Sequence, residues 1–210
     1  MRWLAEQGLA VTLDDVLRFA RGEVSLANGS VLVTIDDGFS SVSSVAAPIL
    51  RRYGIPAVAY ITTQAISNAD AGKGAGEPFL TWEQVVDLST GGMAIGSHSH
   101  THRSMARLDQ EEACEEGRRS KQLIEMHLGK EVTSYAYPYG MRRDESPATA
   151  KILAECGYSS VFISQHGTVQ QGANPLRLPR VKVEASEPLW MFKLLCQGGM
   201  DAWGLADKVL

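Results

Sequence analysis

Short apolar runs alternate along the chain with longer segments in which apolar residues recur every three or four positions. The short runs predict β-strands, and the periodic segments predict amphipathic helices. The predicted strands are SVLVTI, PAVAYIT, MAIGSHS, SYAYPYG and SSVFIS. The predicted helices are LDDVLRFARG, VSSVAAPILRRYG, TWEQVVDLSTGG, LDQEEACEEGRRSKQLIEMHLG and SPATAKILAECGY, followed by LPRVKV and a final helical piece. This alternation is typical of an α/β fold with parallel strands and helices outside them.

Residues with special backbone preferences set the expected limits of these elements. Asp109 is the expected N-cap of the long helix and Gly129 its end. Gly54 should end the helix that begins after the first strand, and Pro48 within that helix predicts a kink. The Gly- and Ala-rich segment 68–79 is expected to be a surface loop near the functional face.

Composition narrows the class of protein. The chain has 210 residues, of which 44% are hydrophobic, so we expect residues 1–210 to form a single domain. The net charge is -4 and the basic pairs are scattered, which argues against a nucleic-acid surface. The three cysteines are widely spaced and form no CxxC pair, so neither a disulfide framework nor a thiolate zinc site is expected.

No apolar run approaches the roughly 18 residues that a membrane span requires. The N-terminal stretch MRWLAEQGLAVTLDDV lacks the apolar core of a signal peptide. These features favour a cytoplasmic location, with an exported mature fragment as the alternative.

Two adjacent acids, Asp36 and Asp37, directly follow the first predicted strand. A carboxylate beside a hydrophobic core is costly unless another group pairs with it. In parallel α/β folds, functional sites gather at the carboxyl ends of the strands. His98 ends another predicted strand and Tyr139 follows a third, so we expect these residues to meet on one face.

The stretch SHSHTH supplies a partner for the acids. His98 and His102 are four residues apart, so one helical turn would place both on the same side. Two imidazoles and one carboxylate form a facial metal site with open positions. We therefore expect a divalent metal, zinc first and Co, Ni or Fe as alternatives, held by Asp37, His98 and His102. The competing interpretation is a polar loop of solvated histidines, and His100 is expected to point elsewhere.

These motifs resemble those of a known family. TIDDGFS resembles the TFDDG motif of the polysaccharide deacetylases, the NodB-homology or family 4 carbohydrate esterases. SHSHTH resembles their H-[ST]-x-[TN]-H motif, and YAYPYG resembles their third motif. Because the flanking segments agree as well, the resemblance covers nearly the whole chain. It implies a distorted (β/α) barrel of the NodB-homology type and metal-dependent removal of N-acetyl groups from amino sugars in a glycan or polysaccharide.

Carried over to this chain, the resemblance implies a role for each site residue. Asp36 would be the general base for a metal-activated water, and Asp37, His98 and His102 would hold the metal. Tyr139 would lend its backbone N–H to the oxyanion. These roles are chemically consistent, since a metal lowers the pKa of bound water from 15.7 to about 7 and a free carboxylate can then accept the proton.

The chain departs from the family pattern in two places. Many members carry an arginine in the third motif that steadies the base, and Ala136 stands there instead. Arg180 of LPRV is a candidate replacement, suggested by the exopolysaccharide deacetylase-like branch, and a surface charge is an equal alternative. That branch also opens with a strand whose histidine is the general acid, which this chain lacks. His166 is the only late candidate for that role, and a solvated loop histidine is the favoured alternative.

The absent strand leads to further expectations. The barrel should be incomplete at the N-terminus, with a gap beside the strand 31–35 or closure of that gap by a partner chain, such as a second copy. The starting helix, with Trp3, Leu4 and Leu9, would cover part of it. Deacetylase activity should be weak or absent without the usual general acid.

Two other functions stay open on the sequence alone. One is a catalytically impaired relative that binds metal or glycan without turnover, and the other is an amide hydrolase that acts on a small molecule. A phosphatase with an aspartyl nucleophile is disfavoured, because that chemistry uses D-x-D and the acids here are adjacent. The expected partner is a carbohydrate substrate.

Overall fold

The computed structural model describes residues 1–72, 78–184 and 186–199. The α-helices are α1 (Arg2–Gln7), α2 (Leu13–Ala20), α3 (Ala47–Arg52), α4 (Thr63–Asp70), α5 (Trp82–Thr90), α6 (Gln110–Leu128), α7 (Pro147–Glu155) and α8 (Leu189–Cys196). The strands are β1 (Val33–Ile35), β2 (Ala57–Ile61), β3 (Ala94–Ser97), β4 (Ser134–Ala136) and β5 (Ser160–Phe162). A π-helical turn (Val42–Ala46) precedes α3, and a 3-10 turn (Met105–Arg107) precedes α6.

The five strands form one parallel sheet in the order β1-β2-β3-β4-β5, which curves into a half-barrel with helices around it. Tyr60 of β2 lies opposite Gly96 of β3, and Tyr135 of β4 lies opposite Val161 of β5. Every predicted strand is therefore present, and the expected α/β class with a distorted barrel is confirmed. Parallel order brings the carboxyl ends of all five strands to the same rim.

Alternate residues of each strand face different parts of the core, as the period of two requires. In β2, Ala57, Ala59 and Ile61 join one apolar cluster, which α1, α3 and α5 cover. The intervening Val58 and Tyr60 join a second cluster that includes residues of α2. Because both faces are covered, β2 is buried along its whole length.

The two edges of the sheet are each extended by a single bridge. Ala10 pairs with Val31 ahead of β1, and Leu178 pairs with Phe162 beyond β5. The expected gap beside 31–35 is thus partly covered by the chain's own N-terminal segment. Leu4 and Leu9, which were expected to cover that surface, pack in the adjoining apolar cluster.

The helix around Pro48 differs from a regular α-helix in a way that its sequence explains. The segment opens as a π-helical turn and continues as α3, with Pro48 in the first turn of α3. Proline has no N–H to donate, so the preceding turn widens at that point. Gly54, with a φ of 61°, follows the end of α3 as expected.

The predicted loop 68–79 begins too early. Thr63–Asp70 forms α4, so residues 68–70 are helical, and residues 73–77 of the predicted loop lie outside the described residues. The sequence obscured this helix because its Ser, Asn and Asp side chains favour caps and turns. The three cysteines are free thiols. Within the described residues, no helix is long and apolar enough to cross a membrane.

Candidate metal and catalytic centre

The predicted site residues meet at the carboxyl rim of the half-barrel. Asp36 and Asp37 follow β1, His98 follows β3 and Tyr139 follows β4 closely. A fifth residue, Arg180, reaches the same place from the segment beyond β5. The rim position was predicted from the alternation of strands and helices, which implied parallel strands.

Asp37, His98 and His102 form a compact donor set. Asp37 Oδ1 lies 3.1 Å from His102 Nε2 and 3.4 Å from His98 Nε2. One donor atom from each residue lies within 4.8 Å of the other two, and the described part of the chain shows no other such group of His, Cys, Asp and Glu. The side chains of Asp37 and His102 are 38% and 30% exposed, so one side of the set is open to solvent. Three ligands with an open side are the pattern of a catalytic metal site.

The hydrogen bonding of His98 indicates that a cation fits this donor set. His98 is buried, and its Nδ1–H donates to the carbonyl oxygen of Ala136 at 2.8 Å. With Nδ1 bonded in this way, Nε2 is the ring atom that faces Asp37 Oδ1, and it can offer a lone pair when a metal takes the place of its proton. His98 Nε2 and Asp37 Oδ1 are both electron-rich, and they repel each other at 3.4 Å unless a positive charge lies between them. The donor chemistry therefore suits a divalent metal.

The backbone of the site is conformationally unusual. Among the described residues, the non-glycine residues with positive φ are Asp37 at 71°, Ser99 at 68°, His102 at 62° and Tyr139 at 62°. Such conformations cost free energy for L-residues and persist where surrounding contacts enforce them. All four belong to the segments that carry the site, so these segments are held in a precise and strained geometry.

Asp36 is bound by Arg180 instead of facing the histidines as a ligand. Arg180 Nη1 and Nη2 donate to the two carboxylate oxygens of Asp36 at 2.7 and 2.8 Å. Arg180 is 12% exposed, and it also donates to Thr34 Oγ1 and Ser164 Oγ. Its location excludes the alternative of a free surface charge. Bidentate pairing fixes the carboxylate plane of Asp36.

Both acids are held in the ionised form. Burial opposes ionisation of Asp36, but His98 and Arg180 outweigh it and hold the pKa of this carboxyl below its ordinary value. Contacts with His102 and then His98 hold the pKa of the Asp37 carboxyl well below its usual range. The two adjacent carboxylates are thus charged, and they are separated by their partners.

Tyr139 lies at the open side of the donor set. Its side chain is 58% exposed, and its ring contacts the ring of His102 edge-on with centroids 4.9 Å apart. Over the described residues, no hydrogen bond is donated by the Tyr139 backbone N–H. This N–H remains available to a ligand, which is compatible with the oxyanion role that the family resemblance implies.

The other histidines lie as follows. His100 Nδ1 is 2.8 Å from Thr63 Oγ1, which confirms that its ring points away from the donor set. His127 stacks on Trp82 with centroids 4.0 Å apart. His166 lies in the loop after β5, two residues beyond Ser164, and its proposed acid role stays a prediction.

Sequence reasoning missed several residues that support the centre. Tyr60 lies beneath Arg180, whose guanidinium carbon is 5.7 Å from the ring centroid. Glu116 of α6 is buried, and its carboxylate accepts a backbone N–H of the histidine loop, residues 98–102. It lies in the polar run EEACEEGRR, a composition typical of a solvated helix face. The only signal was its helical spacing with Ala113 and Ser120, small residues on the same face.

Comparisons with known proteins agree with this geometry. A family model described as polysaccharide deacetylase matches residues 24–161. YxkH of Bacillus subtilis (strain 168), named as a member of that family, is 25% identical over 184 residues, or 87% of this chain and 62% of its own length. The poly-beta-1,6-N-acetyl-D-glucosamine N-deacetylase of Staphylococcus epidermidis is 24% identical over 193 residues, which cover 87% of this chain and 64% of that protein.

The chain thus spans less than two thirds of these two relatives. The solved structure of IcaB from Ammonifex degensii is also similar, with a TM-score of 0.77, 25% identity, and coverage of 97% of this chain and 86% of that one. The family match extends over the acid pair, the histidine pair and the third motif, which the structure brings together at one rim. The chain therefore belongs to the polysaccharide deacetylase family.

Proposed function

We propose that this chain is a metal-dependent N-deacetylase that removes acetyl groups from amino sugars in a glycan. The observation that carries the proposal is the bidentate Asp36–Arg180 pair directly beside the Asp37, His98 and His102 donor set. The arrangement offers one carboxylate to a cation and a second, separately held carboxylate to a proton.

Asp37, His98 and His102 would hold the divalent cation. Bound there, it would lower the pKa of a water molecule and polarise the acetyl carbonyl. Asp36 accepts the proton of the attacking water, because Arg180 keeps its carboxylate ionised and oriented. The Tyr139 N–H donates a hydrogen bond to the carbonyl oxygen as negative charge develops on it, a contribution typically worth ~10²–10³-fold in rate.

The leaving nitrogen needs a proton before the C–N bond breaks. Asp36 has just accepted one and can return it, and His166 is the second candidate donor. A His166→Ala variant that keeps turnover would assign the proton return to Asp36. A variant that loses turnover while retaining metal would assign it to His166.

The first substrate to test is a β-1,6-linked N-acetylglucosamine oligomer, because one similar protein is named for a polymer of that sugar. The wild-type protein, stripped with a chelator and reloaded with zinc, should bind metal and release acetate, at the low rate expected without the family's usual general acid. A His98→Ala, His102→Ala double variant should do neither, and His127→Ala is the matched control.

Unchanged metal content in the double variant would contradict the proposed site. Metal binding without acetate release from β-1,6- or β-1,4-linked oligomers would contradict the proposed reaction and favour the non-catalytic relative.

A further inference from the structure

The histidine loop, which carries both histidines of the donor set, is held by the carboxylate of one residue of helix α6, Glu116. The carboxylate of Glu116 accepts the backbone N–H groups of His100 and Thr101, each at 2.8 Å. It also accepts the hydroxyl proton of Thr101. Glu116 is 6% exposed, although its neighbour Glu115 is exposed. A buried carboxylate is retained at a cost, which three donors offset here.

The remaining N–H groups of the loop are also bonded by side chains. Ser99 N–H donates to Ser97 Oγ, and His102 N–H donates to Ser99 Oγ. Ser97 Oγ in turn donates to Ser120 of α6, one helical turn from Glu116, at 2.7 Å. Four successive amides, from Ser99 to His102, are therefore fixed by side chains instead of by a helix or sheet ladder.

The carbonyl groups of the same loop are bound from another direction. The N–H groups of Thr63 and Gln64, at the start of α4, donate to the carbonyl oxygens of Ser99 and His100. The loop is thus clamped between α4 and α6. Within this clamp, Glu116 supplies the only charged group that bonds to the loop backbone in the described part of the chain.

The clamp explains how the strained backbone is maintained. Ser99 and His102 have positive φ, and the two amides that bind Glu116 lie between them. Consecutive N–H groups in such a turn form a concave site for an anion, and the Glu116 carboxylate fills it. If the carboxylate is lost, the two amides between Ser99 and His102 lose their charged acceptor, and the remaining contacts of the loop oppose the strain less strongly. His98 and His102 would then converge less closely on Asp37.

We propose that Glu116 is a positioning residue of the metal site: its carboxylate fixes the His98–His102 turn and thereby sets the metal affinity. The role rests on the metal site of the proposed function but not on the reaction. Removal of outer groups that orient metal ligands typically weakens metal affinity by 10–100-fold. We expect a loss of this size on Glu116→Gln, which removes the negative charge and replaces one of the two acceptor oxygens with an N–H₂ donor.

The test compares Glu116→Gln with Glu115→Gln, a matched change one residue away. Glu115 is exposed and is bonded to Arg118 on the helix surface. Zinc affinity is measured by competition with a chromophoric chelator, and amide hydrogen exchange is measured on the metal-free proteins. Glu116→Gln should bind zinc 10–100-fold more weakly and should exchange the His100 and Thr101 amides faster. Glu115→Gln should match the wild type in both measurements.

A second variant covers the case in which Glu116→Gln does not fold. Thr101→Val removes one donor to Glu116 and keeps the carboxylate, so it should weaken zinc binding by less than the loss expected for Glu116→Gln. Wild-type zinc affinity in folded Glu116→Gln, or in Thr101→Val where that is the variant available, would overturn the role of Glu116.

The reaction and the positioning role fail in different ways. If the wild-type protein binds zinc without releasing acetate, only the proposed reaction fails, and the affinity comparison still decides the role of Glu116. If the wild-type protein binds no metal, the proposed site and the positioning role are both overturned.

Discussion

Asp36 and Asp37 are adjacent residues that the structure separates by their partners. Asp37 faces two imidazoles, and Asp36 faces a guanidinium. The positive φ of Asp37, 71°, turns the chain between the two side chains so that they diverge. A single turn can therefore offer one acid as a ligand and the other as a base.

Asp36→Asn should retain the metal and lose turnover by roughly 10²–10⁴-fold, because an amide cannot accept the proton. Asp37→Asn should lose both metal and turnover. Metal content and acetate release are measured on each variant after circular dichroism has confirmed folding, since Asp36→Asn leaves Arg180 buried without its counter-charge. Equal loss of metal in the two variants would show that the division of roles is wrong.

Gly96 makes room for the ring that supports Arg180. A Cβ on Gly96 would overlap the ring of Tyr60, which lies opposite it in the neighbouring strand. Gly96→Ala should destabilise the protein by about 1–3 kcal/mol in urea unfolding, the usual cost of overpacking. In a Tyr60→Ala background the same change should cost less, because the overlap is gone. An undiminished cost in that background would place the strain elsewhere.

At the scale of whole elements, α6 combines an exposed helical surface with a buried stripe that supports the site. Its capping box joins Asp109 and Glu112 through reciprocal hydrogen bonds at the N-terminus. Its buried residues lie on one face: Ala113, Glu116, Gly117, Ser120 and Ile124. Helix stability and site geometry can therefore be altered separately.

Asp109→Ala should lower the free energy of unfolding by about 1 kcal/mol through loss of the cap. Zinc affinity of the folded protein should stay unchanged, because Glu116 lies two turns away. Urea unfolding and chelator competition measure the two quantities, and Gln110→Ala, an exposed change beside the cap, is the control. If Asp109→Ala weakened zinc binding as much as Glu116→Gln, helix stability, and not the carboxylate, would set the affinity.

The strands and most helices could be predicted from the sequence because their apolar period and caps are local signals. The cap of α6 at Asp109 and the end of α3 before Gly54 are of this kind. Helix α4 could not be predicted, because its polar residues resemble a loop and its helical state depends on packing of Ile66 into the core. The histidine loop was located correctly, but its clamp by Glu116 depends on tertiary contacts.

At the scale of the whole molecule, the N-terminal segment is part of the main core. Leu4 is fully buried in the apolar cluster that also contains residues of β2 and α5. Leu4→Ala should therefore cost about 2–5 kcal/mol of unfolding free energy by urea titration. Leu189, which is 60% exposed, provides the control, and Leu189→Ala should change stability by less than about 0.5 kcal/mol. If Leu4→Ala cost as little unfolding free energy as Leu189→Ala, α1 would contribute little to the core.

The acid–histidine site could be predicted because each motif follows a strand and parallel strands end at one rim. The role of Arg180 could not be decided, because its contact with Asp36 depends on how far the sheet curves. Curvature arises from the summed twist of five strands, and no local pattern encodes it. For the same reason, the partial cover of the β1 edge by Ala10 was not foreseen in detail.

The Asp36–Arg180 bond also has a consequence for the order of folding. It joins residues 144 positions apart. Contacts of such sequence separation form late, because a large loop must first be closed. On the ribosome, the five strands of the described sheet and both histidines of the donor set are synthesised before Arg180. The nascent chain therefore contains Asp37, His98 and His102 first and receives the partner of Asp36 later, so the pair that fixes the Asp36 carboxylate can form only after Arg180 has been synthesised.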